Sequence, residues 1–309
     1  MNKNYFEVLR PGINSTFQDN GRNNFYHIGI PFSGAMDNRN FLLANTISNN
    51  GINNPVIEFA YQGPKLKYIG ENISINVTGD VNFKIIRKNK NLEFSCYENI
   101  ILENNDCLDI LSTNRSVYGY LSIGGTFEVD YYLNSCSTNT KAKIGANSGE
   151  KLKKGQIIHL KNIKKILPKN KIEYLNSKIE NIRIIKGPHF DYFSKDAIDS
   201  FFSNEFNVTK LSDRMGIRLK GPKISNIKNT NIKSEGLVKG VIQITADGDP
   251  IIMLSDHGTI GGYPKIGVVI SADYDKLVQI PPGSKIKFKE INLKAVSYTH
   301  LTLPTITEV

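Results

Sequence analysis

The fold is decided by the stretch Asp256-His-Gly-Thr-Ile-Gly-Gly-Tyr-Pro-Lys-Ile-Gly-Val-Val-Ile-Ser-Ala-Asp273. A polar turn leads into the Gly261-Gly262 pair, and an apolar, β-branched run follows at 268–270. This pattern predicts a strand, a tight bend and a second, buried strand. The two glycines are expected to adopt positive φ and to turn their backbone amides outward.

Tyr263 and Lys265 flank Pro264, which fixes φ beside the bend, so both side chains are predicted at its edge. A cation, a phenol and outward amides on a rigid strand suit a ligand with an anionic or carbonyl group. Glycine-rich bends are also common in strand-rich chains, so a purely structural hairpin turn is the alternative interpretation.

Short apolar or alternating runs, separated by Gly, Asn and Asp turns, recur along the chain. They lie at 56–59, 66–69, 73–77, 81–86, 92–95, 107–111, 118–123, 182–185, 211–219, 241–244 and 251–254. This spacing is typical of antiparallel barrels or sandwiches. Short helices are predicted at about 39–48, capped by Asp37 or Asn38, and at about 194–202, capped by Ser194. The sequence therefore predicts a mainly β fold with a few short helices.

The chain is predicted to form two β-rich lobes, at 1–165 and 181–295, on either side of a lysine-rich segment. The last residues, 296–309, are expected to be a non-native tail. Val296-Ser-Tyr-Thr-His-Leu-Thr-Leu-Pro-Thr305 looks like translated read-through of a transposon-derived sequencing adapter.

Composition argues against several classes of protein. The net charge is +10, but the lysines are scattered among asparagines, whereas nucleic-acid binding needs a clustered basic surface. Three cysteines without a CxxC pair argue against a disulfide framework and a zinc site, and no metal site is expected. The sequence has neither a membrane-length apolar run nor a signal region. We therefore expect a cytoplasmic protein that contacts neither nucleic acid nor membrane.

Polar, glycine-rich loops near both ends of the chain supply the candidate site residues. These are Gln18, Asp19, Arg22 and Ser33 in the first half, and Arg214, Arg218, Glu235, Gly261, Gly262, Tyr263 and Lys265 in the second. Arg214 and Arg218 are four residues apart, and alternate residues of a strand share a face, so both are predicted on one face of a strand. Cations with backbone amides bind oxyanions and carboxylates. No self-contained signature of a common enzyme class is present.

Three further patterns carry expectations of their own. The loop at 29–37 precedes the first predicted helix, where amides and the helix dipole favour an anion, although an ordinary capped helix explains it equally well. Glu58 interrupts an apolar strand, and a buried carboxylate is unfavourable unless it has a partner. Ser135, Cys136 and Ser137 are poor candidates for nucleophiles, because no histidine lies near them in the sequence.

Several of these stretches resemble motifs of the biotin-dependent carboxyltransferase-like family. They are Pro11-Gly-(x)3-Thr-Phe-Gln-Asp-x-Gly-Arg22, Gly29-Ile-Pro-x-Ser-Gly-Ala-Met-Asp37, Ser212-x-Arg-Met-Gly-x-Arg-Leu219, Ser234-Glu-Gly236, Gly261-Gly-Tyr-Pro-Lys-Ile266 and Ser271-Ala-Asp273. The resemblance extends over about 8–290. Ile260 stands where the family leads us to expect threonine and Cys136 where it leads us to expect arginine, which affects ligand chemistry rather than the fold.

The resemblance implies a cyclophilin-like β-barrel architecture in two lobes. For a free-standing chain it implies the C subunit of an ATP-dependent 5-oxoprolinase, which opens 5-oxo-L-proline to L-glutamate together with subunits A and B. One alternative is a carboxyltransferase subunit of a biotin-dependent urea or amide carboxylase. The other is a Kip-type regulator that binds a subunit-B-like partner and catalyses nothing. ATP is expected at the level of the complex, and biotin only under the carboxylase alternative.

Under this hypothesis each candidate residue has a role. Lys265, Arg214, Arg218 and Arg22 hold carboxylate or phosphoryl groups, Asp19 and Glu235 position them or act as acid or base, and Gln18, Ser33, Gly261, Gly262 and Tyr263 line the site. Lys265, Asp19 and Glu235 are the expected catalytic residues. We expect these loops to converge on one cationic, amide-lined hollow.

Overall fold

The computed structural model describes residues 4–164, 171–173, 179, 181–226, 228 and 230–292. The chain divides into two compact units, one comprising Met1–Phe25 with Phe32–Asn176 and the other Tyr26–Pro31 with Ser177–Val309. The predicted tail at 296–309 and much of the predicted connecting segment lie outside the described residues.

The described part of the first unit is built from short strands and one α-helix. The strands are β1 (Tyr5–Arg10), β2 (Thr16–Gln18), β3 (Val56–Ala60), β4 (Lys65–Ile69), β5 (Ile73–Thr78), β6 (Val81–Arg87), β7 (Lys90–Glu93), β8 (Ile100–Leu102), β9 (Cys107–Thr113), β10 (Tyr118–Ile123), β11 (Thr126–Phe127) and β12 (Ile157–Lys161). The helix is α1 (Asn38–Ile47), and Asn147–Gly149 forms a single 3-10 turn.

These strands form two antiparallel sheets around one apolar core. The sheet orders are β11-β12-β1-β4-β9-β6-β7 and β2-β3-β10-β5-β8. β1 buries alternate residues, Phe6 and Val8, as a strand with one solvated face should. β5 and β10 are buried along their whole length, because α1 covers the outer face of their sheet. The Asn76 side chain on β5 donates to the carbonyl of Ala44 on α1 at 3.0 Å.

The loop before α1 is fixed by polar groups of the sheet. Asp37 caps the helix as predicted, accepting from the Asn40 N–H at 2.9 Å. The carboxylate of Glu58 accepts the Met36 N–H at 2.7 Å, so this buried acid has the partner that the sequence required. The Tyr120 hydroxyl accepts the Asp37 N–H at 2.7 Å, and burial raises the pKa of Tyr120.

The described part of the second unit contains β13 to β22 and two α-helices. The strands are β13 (Ile182–Lys186), β14 (Phe206–Val208), β15 (Gly216–Lys220), β16 (Glu235–Gly236), β17 (Val241–Ile244), β18 (Pro250–Met253), β19 (Ile260–Gly261), β20 (Lys265–Val269), β21 (Lys285–Ile286) and β22 (Phe288–Glu290). The helices are α2 (Lys195–Ser203) and α3 (Ser271–Leu277), with 3-10 turns at Tyr26–Ile28 and Phe190–Tyr192.

Eight of these strands form one sheet in the order β21-β14-β15-β18-β17-β20-β13-β22, and β16 pairs with β19. Ser194 caps α2 as predicted, accepting from the Ala197 N–H at 3.1 Å. Phe201 of α2 stacks on Phe288 of β22 with ring centroids 4.5 Å apart, which fixes the helix on the sheet. The predicted class, mainly β with a few short helices, is confirmed. No described helix is long and apolar enough to cross a bilayer.

One sequence-based assignment is wrong in detail, and one helix was not predicted. The predicted strand at 211–219 begins only at Gly216, so Arg214 lies in a turn rather than on a strand face. The Asp213 carboxylate accepts the Met215 N–H at 2.8 Å, and this local turn replaces the ladder. The residues after β20 form helix α3, which the sequence analysis did not indicate. The buried carboxylate of Asp273 anchors that helix by accepting the Arg183 N–H at 2.8 Å.

Candidate active site

One group of predicted site residues lies in each unit. Gln18, Asp19, Arg22 and Ser33 belong to the first unit, and Arg214, Arg218, Glu235, Gly261, Gly262, Tyr263 and Lys265 to the second. The second group contains the arrangement best suited to chemistry.

Lys265 and Glu235 form a charge pair in the second unit. Lys265 opens β20, its side chain is only 5% exposed, and its Nζ lies 2.6 Å from Glu235 Oε2. The Glu235 side chain is 48% exposed, so the pair joins a buried cation to an acid that solvent reaches. The hydrogen bond from Lys265 lowers the pKa of Glu235 below its ordinary value, which keeps the carboxylate ionised at neutral pH.

Two strand pairings position these residues. Glu235 on β16 pairs with Gly261 on β19, and Lys265 on β20 pairs with Gln243 on β17. Residues 262–264 connect β19 to β20, so the strand that pairs with Glu235 is followed directly by the strand that carries Lys265. An ammonium group held in this way can stabilise negative charge on a ligand oxygen.

The glycine pair serves close packing rather than unusual backbone angles. Neither Gly261 nor Gly262 has positive φ, so the predicted conformation is wrong. A Cβ at Gly261 would lie 2.8 Å from Leu237 Cδ1 and 2.9 Å from Gln243 Nε2. The Gln243 amide donates to the carbonyl of Tyr263 at 2.9 Å, so a side chain at 261 would disturb the group that fixes the bend.

His189 completes this arrangement, although it was not among the predicted site residues. Its Nε2 lies 3.6 Å from Glu235 Oε2, and its Nδ1 accepts the backbone N–H of Lys265 at 3.3 Å. Gly187, two residues before His189, could have indicated this position in the sequence. A Cβ at Gly187 would lie 2.3 Å from the Lys265 carbonyl oxygen, so the position requires glycine. A Gly-Pro pair directly before a histidine therefore marks a close backbone approach.

The two predicted arginines of the second unit have different environments. Arg214 is held by Asp256 in a two-point pair, with Nε 2.8 Å from Oδ2 and the second nitrogen 3.1 Å from Oδ1. Asp256 is buried, so this pair fixes the turn that precedes β15. Arg218 is exposed on β15, and its backbone N–H donates to the Ser212 hydroxyl at 3.1 Å.

A second histidine, His257, lies beside the Arg214–Asp256 pair in the chain. Its Nδ1 lies 2.6 Å from the Gly258 carbonyl oxygen, and a carbonyl can only accept, so Nδ1 carries the proton. Its Nε2 is then an acceptor, 3.3 Å from the hydroxyl of Tyr26. Burial lowers the pKa of His257, which favours this neutral form.

Asp19 lies at the centre of a buried hydrogen-bond network in the first unit. Its Oδ1 accepts from the hydroxyls of Ser135 and Ser137, both at 2.6 Å, and from the Gly21 N–H at 2.9 Å. Its Oδ2 accepts the Cys136 N–H at 2.8 Å. With four donors and no exposed surface, the Asp19 carboxylate holds the 135–137 loop, and its catalytic role stays a prediction.

Arg22 is buried against the same loop, with 1% of its surface exposed. Its guanidinium donates to the carbonyls of Tyr132 at 3.1 Å and Ser137 at 2.5 Å. Gln18 joins β2 to this loop by donating to the Thr138 carbonyl at 2.9 Å. The Ser33 hydroxyl accepts from the Asn139 amide at 3.1 Å. All four predicted residues of the first unit therefore contact one loop, at 132–139.

An open pocket of about 370 Å³ lies beside this network. It is lined by Asn20, Gly21, Asn23, Asn24, Phe25, Asn53, Leu133 and Asn134. Its lining carries no charged side chain, so it does not provide the predicted cationic hollow. No group of three or more His, Cys, Asp or Glu side chains in the described ranges is arranged to bind a metal ion.

The chain belongs to the carboxyltransferase domain family, subdomains A and B, which matches residues 28–290. It is 28% identical over 298 residues to the 5-oxoprolinase C subunit of Escherichia coli K12, covering 93% of this chain and 92% of that protein. It is 31% identical over 318 residues to urea amidolyase of Lachancea kluyveri, covering 93% of this chain but 17% of that protein.

The crystal structure of the K. lactis urea amidolyase superposes with a TM-score of 0.86 at 29% identity, covering 95% of this chain and 19% of that one. The chain thus spans nearly all of the bacterial 5-oxoprolinase relative but less than a fifth of the urea amidolyases. The family and fold implied by the motifs are confirmed. So is the similarity to the 5-oxoprolinase C subunit, with urea amidolyase as the second kind of relative.

Proposed function

We propose that this chain is the C subunit of a cytoplasmic, ATP-dependent 5-oxoprolinase that opens 5-oxo-L-proline to L-glutamate together with subunits A and B. The observation that carries the proposal is the Lys265–Glu235 pair, a buried ammonium beside a solvent-reached carboxylate, in a chain similar over 93% of its length to a 5-oxoprolinase C subunit. The specific lactam and the partner subunits are part of the proposal.

Coupling to ATP suits this chemistry, because a lactam is a poor electrophile. Phosphorylation of the lactam oxygen would make the ring carbonyl reactive towards water. This chain has no nucleotide-binding motif, so ATP is assigned to the complex. The buried ammonium of Lys265 is a single positive charge. It therefore suits one carboxylate or phosphoryl oxygen better than the several phosphates of a whole nucleotide.

The second-unit residues have complementary roles in this proposal. Lys265 stabilises negative charge on the reacting oxygen, and Glu235, held ionised, orients or deprotonates the attacking water. Tyr263, Gly261 and Gly262 shape the bend between them, while Arg218 offers an exposed cation on β15.

The remaining candidates act by position. Arg214 orders the turn before β15 through Asp256, and Asp19, Arg22, Gln18 and Ser33 order the 132–139 loop. The expectation that Arg22, Arg214 and Lys265 act on one ligand stays a prediction.

Purification of the chain with candidate subunits A and B, followed by an assay of ATP-dependent glutamate release from 5-oxoproline, tests the proposal. Lys265→Met should lower kcat by at least about 100-fold, the usual loss for removal of one oxyanion donor. Lys220→Met is the matched control, because Lys220 is 61% exposed and pairs with Asp249 on the surface. An active complex that is indifferent to Lys265→Met would remove Lys265 from the site.

The carboxyltransferase alternative is favoured by the match to urea amidolyase at 31% identity. Under it, the same ammonium would hold the carboxylate carried by biotin, and the complex would carboxylate urea or another amide. Carboxylation of urea without glutamate release would support this function. A tight complex with a subunit-B-like partner that turns over neither substrate would identify a regulator.

A further inference from the structure

We propose that His189 is a positioning residue. It becomes the hydrogen-bond donor to the Glu235 carboxylate when the Lys265 ammonium turns towards a bound anion. The inference rests on the proposed function only in treating the Lys265–Glu235 pair as the reacting site. An anion that draws the Lys265 ammonium towards itself would lengthen the 2.6 Å contact of Nζ with Glu235 Oε2. A second donor beside Glu235 would keep the carboxylate in place while the lysine changes partner.

The backbone of Lys265 fixes the His189 ring. The backbone N–H of His189 donates to the Lys265 carbonyl at 3.2 Å, and the backbone N–H of Lys265 donates to Nδ1 of the His189 ring at 3.3 Å. Tyr192 packs against the ring edge-on, with centroids 4.9 Å apart. The ring is 9% exposed, so its orientation is set by protein groups rather than by solvent.

This geometry determines which ring nitrogen carries a proton. A backbone N–H can only donate, so Nδ1 must be the acceptor, and a neutral ring then carries its proton on Nε2. Nε2 faces Glu235 Oε2, the same oxygen that Lys265 Nζ contacts at 2.6 Å. Both groups therefore face one carboxylate oxygen, and it is Lys265 that makes the hydrogen bond to it.

The separation of 3.6 Å between Nε2 and Oε2 is too long for a hydrogen bond while Lys265 is in place. A shift of Glu235 by roughly half an ångström would bring it within hydrogen-bond range. Glu235 is free to make this shift, because its side chain is 48% exposed and lies on a two-residue strand. Nearby Asp191 and Lys228 pair with each other at 2.8 Å.

Two substitutions separate the two ring nitrogens. His189→Asn places a polar group near Nδ1 but removes the donor at Nε2, whereas His189→Gln retains a donor near Nε2 and removes the Nδ1 acceptor. In the active complex we expect His189→Asn to lower kcat by at least about tenfold, the lower end of the worth of one hydrogen bond to a charged group, with KM within about twofold. His189→Gln should retain most of kcat. Equal losses, or a larger loss for glutamine, would show a merely structural role and overturn the proposal.

Nitrogen NMR on the isolated, histidine-labelled chain tests the inference without turnover. His189 should show the Nε2–H form, and His257, whose Nδ1 faces a carbonyl, should show the opposite form as an internal reference. A proton on Nδ1 of His189 would overturn the proposal.

A carboxyl titration in a Lys265→Met background isolates the contact between His189 and Glu235. There His189→Asn should raise the pKa of Glu235 further, because the donor at Nε2 is lost, and His189→Gln should leave it lower. An unchanged titration on addition of His189→Asn would overturn the proposal. Neither this titration nor the nitrogen spectrum depends on 5-oxoproline, so a complex without glutamate release would refute the proposed function alone.

Discussion

Asp19→Asn tests the network that holds the 132–139 loop in the first unit. The carboxylate of Asp19 is fully buried and accepts four hydrogen bonds, from two serine hydroxyls and two backbone amides. Asparagine has the same shape, and its oxygen can replace Oδ1. Its NH2 group then faces the Cys136 N–H, so two donors meet where a carboxylate accepted.

The magnitude follows from the bonds that change. Loss of one charge-assisted hydrogen bond costs about 1.5–3 kcal/mol, and a buried N–H without an acceptor costs about 1–3 kcal/mol more. We therefore expect the free energy of unfolding of the first unit to fall by about 3–5 kcal/mol. Because domains are stable by about 5–15 kcal/mol, this is a large fraction of the total.

Urea unfolding followed by circular dichroism is the suitable assay, since the chain has no tryptophan. The control is Glu150→Gln, which removes a surface carboxylate that pairs with Lys143 and should leave the midpoint unchanged. Amide hydrogen exchange at Ser135–Ser137 assigns the loss to the loop. If Asp19→Asn has the same midpoint of urea unfolding as the wild type, the Asp19 carboxylate does not stabilise the loop.

Three further predictions concern two glycines, one carboxyl group and two thiols. Gly145→Ala should destabilise the first unit by about 3 kcal/mol or more, because its Cβ would lie 2.0 Å from a backbone oxygen. Gly155→Ala, also at positive φ but with open space around it, should cost about 1 kcal/mol in the same urea titration. The Glu235 carboxyl should titrate below the ordinary glutamate range by carbon NMR, so the stability it contributes is present above the unfolded pKa and is lost as pH falls through its folded pKa. Alkylation followed by mass spectrometry should modify Cys107 before Cys136, because burial raises the pKa of the Cys136 thiol far more; an equal rate would contradict this.

Much of the local structure could be predicted because its signals are local. Asp37 and Ser194 each cap a helix three residues before the amide that they bind, so both caps were visible in the sequence. The alternation in β1 likewise follows from the pleat of a strand. Glu58 was correctly expected to have a partner, but its identity, the Met36 N–H, depends on how a loop lies over the sheet.

Errors arose where a short-range rule competed with packing. The even spacing of Arg214 and Arg218 suggested one strand face, yet the turn made by Asp213 delays β15 to Gly216. The Gly-Gly pair suggested positive φ, but neither glycine has it. Position 261 instead favours glycine because the side chains of Leu237 and Gln243 lie against it. Neither neighbour is close to it in the sequence.

The sequence by itself determined the mainly β class, the helix starts, the family and the residue types available for anion chemistry. The class and the helix starts depend on contacts within a few residues, and the family is recognised from short sequence motifs. Only the tertiary structure decided which of those residues meet. It paired Lys265 with Glu235 thirty positions away, brought His189 to the same carboxylate, and enclosed Asp19 between serines more than a hundred residues along the chain. Such pairings follow from strand order and register, because burial of a charge is stable only where folding brings its partner.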